Sequence, residues 1–157
     1  MKYTHAIMSL VLLLFAGQAF AVNCKIIVAK NTCWNNYEIK VRMLDALTLK
    51  EYAVIDVPKG QHYTVKEMQC ESGKQVFFRA SFKPVIWQNQ KGDFYQTKRF
   101  WDVPQALVKD AKHWEVKLCF PRDFDNVPIP PGDLHDCQCK FPLTEGKVIK
   151  SHGSHAE

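Results

Sequence analysis

Three stretches of the chain alternate apolar and polar residues with the period of a β-strand, and that pattern admits few folds. In YEIKVRML, Tyr37, Ile39, Val41 and Met43 alternate with Glu38, Lys40 and Arg42. In QVFFRASF, Val76, Phe78, Ala80 and Phe82 alternate with Gln75, Arg79 and Ser81. In HWEVKLCF, Trp114, Val116, Leu118 and Phe120 alternate with His113, Glu115, Lys117 and Cys119. Successive side chains of a strand point to opposite faces, so each stretch reads as a strand with one face in a core and one in water. Further strands are expected over 24–30, 50–57, 61–68 and 93–101. Turn residues separate them: Asn31-Thr32, Pro58-Lys59-Gly60, Ser72-Gly73 and Lys91-Gly92-Asp93. Helical signal is thin. PQALVKDAKH from Pro104 has room for one turn or two, and RMLDALTLK around Asp45 for another. About seven strands on short connections predict an all-β domain over 22–120, an antiparallel β-sandwich of immunoglobulin-like architecture. A small closed barrel is the competing arrangement.

The first residues say where such a domain would fold. MKYTHAIMSLVLLLFAGQAFA has Lys2 in a short polar start, an apolar run from Ala6 to Phe15, and small residues at Ala19 and Ala21. That is the form of a cleaved secretory signal, so residues 1–21 are expected to be removed after Ala21. The apolar run falls short of the roughly 20 residues a membrane-spanning helix needs. Lys, Glu or Asp interrupts every later apolar segment, and no transmembrane segment is expected after cleavage. Val22-Asn23 before Cys24 does not make a lipidation site. Cleavage takes Lys2 and no acidic residue, so the formal charge of +5 falls to +4. No run of five basic residues occurs, and nucleic acid is not an expected partner.

An exported chain meets an oxidising compartment, where an even number of cysteines reads as a disulfide framework. Cys24, Cys33, Cys70, Cys119, Cys137 and Cys139 are the disulfide candidates. A strand over 24–30 spans about 20 Å, whereas a disulfide needs Cα atoms about 5–6 Å apart. Cys24 and Cys33 then lie at opposite ends of that strand. Followed up and down, the chain returns Cys70 to the end of Cys24 and brings Cys119 to the end of Cys33. This favours Cys24–Cys70 and gathers Cys33, Cys119, Cys137 and Cys139, whose pairing stays open. A bond from Cys119 into the tail is attractive, since Cys119 is in the outward phase of its strand.

After Phe120 the chain changes character. Residues 121–157 hold five of the eight prolines and are expected to form an extended, disulfide-anchored tail. Phe124, Val127, Ile129 and Leu134 would pack it onto the sandwich, and the final VIKSHGSHAE is polar and expected to be loose. Within the tail, GDLHDCQCK puts His135, Cys137 and Cys139 at alternate positions, like half of a metal site. In an oxidising compartment the two cysteines are expected to be a clasp, and no metal or other cofactor is expected. They need not bond each other, because residues two apart in an extended chain sit at the outer limit of disulfide reach. At least one is expected to reach Cys33 or Cys119. The alternative is a periplasmic metal-binding protein using His135, Cys137 and Cys139.

Of the tryptophans, Trp34, Trp101 and Trp114 are expected in the core, and Trp87, beside QNQKGD, on the surface. Trp87, Phe124 and Ile129 are candidate partner-binding residues. Catalytic motifs are lacking: there is no Gly-x-Ser-x-Gly elbow, no His-Glu-x-x-His, no phosphate loop and no dinucleotide fingerprint. The pairs His113/Cys119 and His135/Cys137 would need a free thiol of lowered pKa, and Asp123/Asp125 lie in the tail. No enzymatic activity is expected.

CWNNYEIKVRMLDA, VPKG with a further Cys, FKPVIWQ, and CFPRDF…VPIPP…CQC resemble small exported proteins of bacteria that carry a Dot/Icm-type IVB secretion system. The resemblance covers most of the mature chain. It implies an accessory subunit of that machine's outer-membrane core complex, held in the periplasm or at the outer membrane by protein partners of the cell envelope. An effector-like protein released from the cell is a further alternative. The resemblance brings no catalytic residue with it.

Overall fold

The structure is a computed structural model that describes residues 21–90, 92–132, 135–142, 149–150 and 153–155, with the backbone alone at 90, 149–150 and 153–155. The expected signal peptide, up to residue 20, and Leu134 lie outside the described residues. The strands are β1 (Ala21–Lys30), β2 (Glu38–Asp45), β3 (Glu51–Val57), β4 (Tyr63–Glu71), β5 (Gln75–Lys83), β6 (Tyr95–Gln96), β7 (Arg99–Asp102), β8 (Trp114–Phe120), β9 (Ile149–Lys150) and β10 (Gly153–His155).

They form two packed sheets, one ordered β4-β1-β8-β9 and the other β10-β7-β5-β2-β3, with β6 also paired to β5. The all-β sandwich expected from the alternation is what the chain folds into. Ile26 and Val28 of β1 and Val116 and Leu118 of β8 face Ile39, Val41 and Met43 of β2 and Phe78 and Ala80 of β5 across a single core. Trp101 on β7 and Trp114 on β8 are buried, and so is Trp34, in the short 3-10 turn over Thr32–Trp34. Trp34 meets Phe82 and Phe120 edge-on with ring centroids 4.8 Å away in each case. Such aromatic pairs add about 0.5–1.5 kcal/mol beyond the area they bury.

The order β7-β5-β2-β3 is that of the G, F, C and C′ strands of an immunoglobulin sandwich, and β4-β1 matches E and B. Two pairings depart from the expected antiparallel arrangement, β1 with β8 and β8 with β9. The strand beside β1 is β8, which runs parallel to it, Cys24 opposite Trp114 through Lys30 opposite Phe120. Parallel neighbours are normally covered on both faces and read as continuous apolar runs. Ile26, Ile27, Val28 and Ala29 are accordingly all buried, and so are both faces of β8 apart from Lys117. The expected wet face of β8 is therefore wrong: Glu115 and Cys119, though in the outward phase, are buried.

Other expectations need correction. The segment 93–101 is not one strand, because Thr97 turns inward, accepts the Phe78 amide at 3.1 Å on Oγ1 and separates β6 from β7. Neither 42–50 nor 104–113 forms a helix. At the first, the Asp45 carboxylate takes the amides of Leu47 and Thr48 at 2.9 and 2.7 Å and folds a turn instead. The packing also continues past residue 120. Asp123 accepts the Cys119 amide at 2.7 Å, Asp125 donates its amide to Gln96 at 2.9 Å, and Phe124 and Val127 join the core. The end expected to be loose pairs along its described backbone: β9 lies parallel on β8, and β10 antiparallel on β7.

Candidate functional site

Three disulfides hold the fold: Cys24–Cys70, Cys33–Cys137 and Cys119–Cys139. The antiparallel pairing of β4 with β1 returns Cys70 to the start of β1, opposite Val22, while Cys24 lies opposite Met68. The other two bonds form the clasp at the opposite end. Residues 136–139 lie against 31–33: Thr32 donates its hydroxyl to the Asp136 carbonyl at 2.8 Å and its amide to Gln138 at 3.1 Å, and Asn31 bridges Cys139. Cys139 Sγ lies 3.7 Å from the Ala29 carbonyl and 3.8 Å from that of Phe120, over the outer side of β1 and β8. Cys137 and Cys139 thus bond the body of the domain and not each other. A zinc or copper site on His135, Cys137 and Cys139 would require thiolates, and in this structure both cysteines are in disulfides. His135 is exposed beside the clasp. Three disulfides fit a chain that folds in an oxidising, exported environment.

Beside the clasp, Lys30 is fully buried. Its position continues the inward phase of Cys24, Ile26 and Val28. The ammonium donates to the carbonyls of Asn35 (3.3 Å), Tyr37 (2.5 Å) and Pro58 (2.7 Å). Burial pulls its pKa down to about 8, against the pull of nearby Glu38 the other way. With three protons and three carbonyls it is a strut, tying the end of β1 to the turns around β2 and β3. At the other end, Tyr52 places its hydroxyl 2.8 Å from Asp45 and 2.9 Å from Glu71, linking the two sheets. The amide and phenol bonds hold the Asp45 carboxyl down at about 2.

The candidate partner-binding residues separate. Phe124 is 2 % exposed and meets the Phe120 ring at a tilt of 56° with centroids 5.5 Å apart, so it is a core residue and not a surface one. Trp87 is 62 % exposed, and Ile129 is 71 % exposed on the proline-rich segment. Neither lines the opening on the six-stranded sheet, which the sequence reading did not single out.

That opening is a groove of about 460 Å³ on the outer face of the six-stranded sheet, lined among others by Arg42, Glu51, Arg79, Lys83, Val85 and Phe94. The outward phases of β2 and β5 supply Arg42 and Arg79, which the pairing puts directly opposite each other. The Arg79 guanidinium lies over the rings of Phe77 and Phe94, 5.3 and 4.7 Å from their centroids. Glu51 pairs with Arg42 at 3.3 Å. Phe94, 59 % exposed, and Val85, also exposed, form an apolar rim. The groove can hold an extended segment by apolar contact at the rim and by charged hydrogen bonds at its floor. Every described cysteine is in a disulfide. Arg42 and Arg79 were visible as the polar members of two alternating stretches. That they meet depends on register, which alternation does not give. Among the described residues no helix is long and apolar enough to cross a membrane. No family model, curated protein or solved structure matches the chain.

Proposed function

We propose that this chain is a non-enzymatic, exported binding subunit that acts in the bacterial cell envelope, in the periplasm or at the outer membrane. The observation that carries the proposal is the open groove on the six-stranded sheet, with exposed Phe94 and Val85 in its lining. Single exposed apolar residues need no explanation, but neighbouring ones around a concave surface mark contact sites. Aromatic residues and arginine are the side chains most often found at the energetic centre of protein interfaces. The rest of the domain suits a scaffold: disulfides at both ends, a buried lysine strut, and a tail fastened to the body. The resemblance of CWNNYEIKVRMLDA and CFPRDF…VPIPP…CQC to accessory subunits of Dot/Icm-type IVB secretion complexes gives the reading its most specific form, a peripheral subunit of the outer-membrane core complex.

The test is native electrophoresis of gently solubilised envelopes from cells producing the wild-type chain or the Phe94→Asp variant. The reading expects the wild type in a large assembly and Phe94→Asp, equally abundant and oxidised, running alone. A wild-type chain that migrates only as a free monomer would remove the subunit reading.

A further inference from the structure

The groove also carries an inference about what it holds. It deepens the binding reading above and rests on it. Three cations and two carboxylates line the groove: Arg42, Arg79 and Lys83 against Glu51 and Asp93. Glu51 is engaged by Arg42, and no carboxylate among the described residues lies within ion-pair distance of Arg79. Like charges directly opposite on paired strands destabilise a sheet, and Arg42 and Arg79 are such a pair. The Arg79 Nε–H is buried and makes no hydrogen bond. The Phe77 and Phe94 rings flank the guanidinium, with centroids 5.3 and 4.7 Å from its central carbon, and Phe94 ties it to the groove's rim. A buried donor without an acceptor is costly, and a carboxylate satisfies a guanidinium through paired, charge-assisted bonds.

We propose that the groove is a receptor for an extended acidic segment of a protein partner, with Arg79 as the carboxylate-binding residue, Arg42 as its neighbouring cation, and Phe94 and Val85 as the apolar wall. An extended chain presents alternate side chains to one side, so a segment alternating Glu with apolar residues matches a floor of arginine and a rim of phenylalanine and valine. Lys83 at the end of β5 extends the positive surface.

The probe is a fluorescein-labelled eight-residue peptide alternating Glu with Val and Phe. Its Gln-for-Glu counterpart and vesicles of phosphatidylglycerol in phosphatidylcholine serve as comparisons. Binding is followed by anisotropy, or by co-sedimentation for the vesicles, using the oxidised mature chain. The proposal expects saturable binding of the acidic peptide, at least about tenfold weaker binding of the Gln peptide, and weakening with added salt. Arg79→Gln should lose about tenfold or more in affinity and Arg79→Lys should recover part of it. Arg42→Gln, at an exposed side chain, gives the same readout with a smaller loss should Arg79→Gln fail to fold. No binding of the acidic peptide, equal binding of the two peptides, or unchanged binding by Arg79→Gln and Arg42→Gln overturns the proposal. So does binding to vesicles alone, which would assign the cations to a lipid surface. If Arg79→Gln still enters the envelope assembly while Phe94→Asp does not, the acidic-segment proposal fails and the subunit reading stands.

Discussion

Removing the two clasp disulfides one at a time should cost stability in an order set by the chain. Cys33 and Cys137 are 104 residues apart in sequence, and Cys119 and Cys139 are 20 apart. Loop-closure entropy in the unfolded state gives about 4.7 kcal/mol for a bond closing about 100 residues and about 3.3 kcal/mol for one closing about 20. The other bonds narrow the difference without erasing it. With Cys24–Cys70 and Cys119–Cys139 intact, the shortest covalent path closed by Cys33–Cys137 runs 33–24, 70–119 and 139–137, about 60 residues, which corresponds to about 4.3 kcal/mol. The double replacements Cys33→Ala/Cys137→Ala and Cys119→Ala/Cys139→Ala leave no odd thiol in either protein. Guanidinium unfolding followed by tryptophan fluorescence is a suitable assay, since buried Trp34 contacts Phe120 at the clasp end of β8. The long-loop variant should lose more than the short-loop variant, by about 1 kcal/mol, and both should lose at least about 2 kcal/mol. Equal losses, a reversed order, or an undiminished free energy in either variant would refute the entropic reasoning and the clasp's role in holding the tail.

Lys30→Met removes the ammonium from three carbonyls, of which those of Asn35 and Pro58 keep the amides of Gly60 and Gln61 and that of Tyr37 loses its side-chain donor, and should cost about 1–3 kcal/mol in the same assay. Because the folded-state pKa of Lys30, about 8, is below the ordinary 10.5, the unfolded chain binds more protons between those values. Wild-type stability relative to Lys30→Met should therefore rise as pH goes from about 8 to 10.5. Asp45, held at about 2 in the fold against an ordinary 3.8, should stabilise the protein fully above about pH 4 and lose that effect as pH falls towards 2. An acid titration of Asp45→Asn should lack this step. Phe124→Ala should cost about 3–5 kcal/mol as a core truncation, and a chain ending at Phe120 should not fold even with Cys119 replaced. Circular dichroism of both proteins checks this.

The two-sheet architecture was legible because inward residues are marked by phase alone: Ile39, Val41 and Met43 needed no knowledge of their neighbours. The cysteine ends were legible for a similar reason. Alternating strand direction fixes whether a residue finishes at one end or the other, whichever strands lie side by side, so Cys24–Cys70 and the gathering of the remaining cysteines followed. What phase cannot give is the identity of adjacent strands. The parallel pairing of β1 with β8, which buries Glu115 and Cys119, and the meeting of Arg42 with Arg79 both depend on it. Lys30 and Asp45 were legible in principle. Each continues the inward phase of its strand, Lys30 after Ile26 and Val28, Asp45 after Val41 and Met43. A charged residue in that phase signals a buried group with dedicated partners. Phe124 was misread because the proline content of 121–142 suggested a separate tail, while a single aromatic side chain and two Asp-centred turns keep its first residues in the sandwich.

The claim that the outer face of the six-stranded sheet binds a protein is tested most directly by photocrosslinking within intact envelopes. A photoreactive phenylalanine analogue placed at Phe94 samples the groove, and the same analogue at Lys66, exposed on β4 of the other sheet, samples a control surface. The account predicts one discrete adduct from position 94, carrying a partner segment rich in Asp or Glu, with none from position 66. Adducts from position 66 alone, or none from either position, would contradict it.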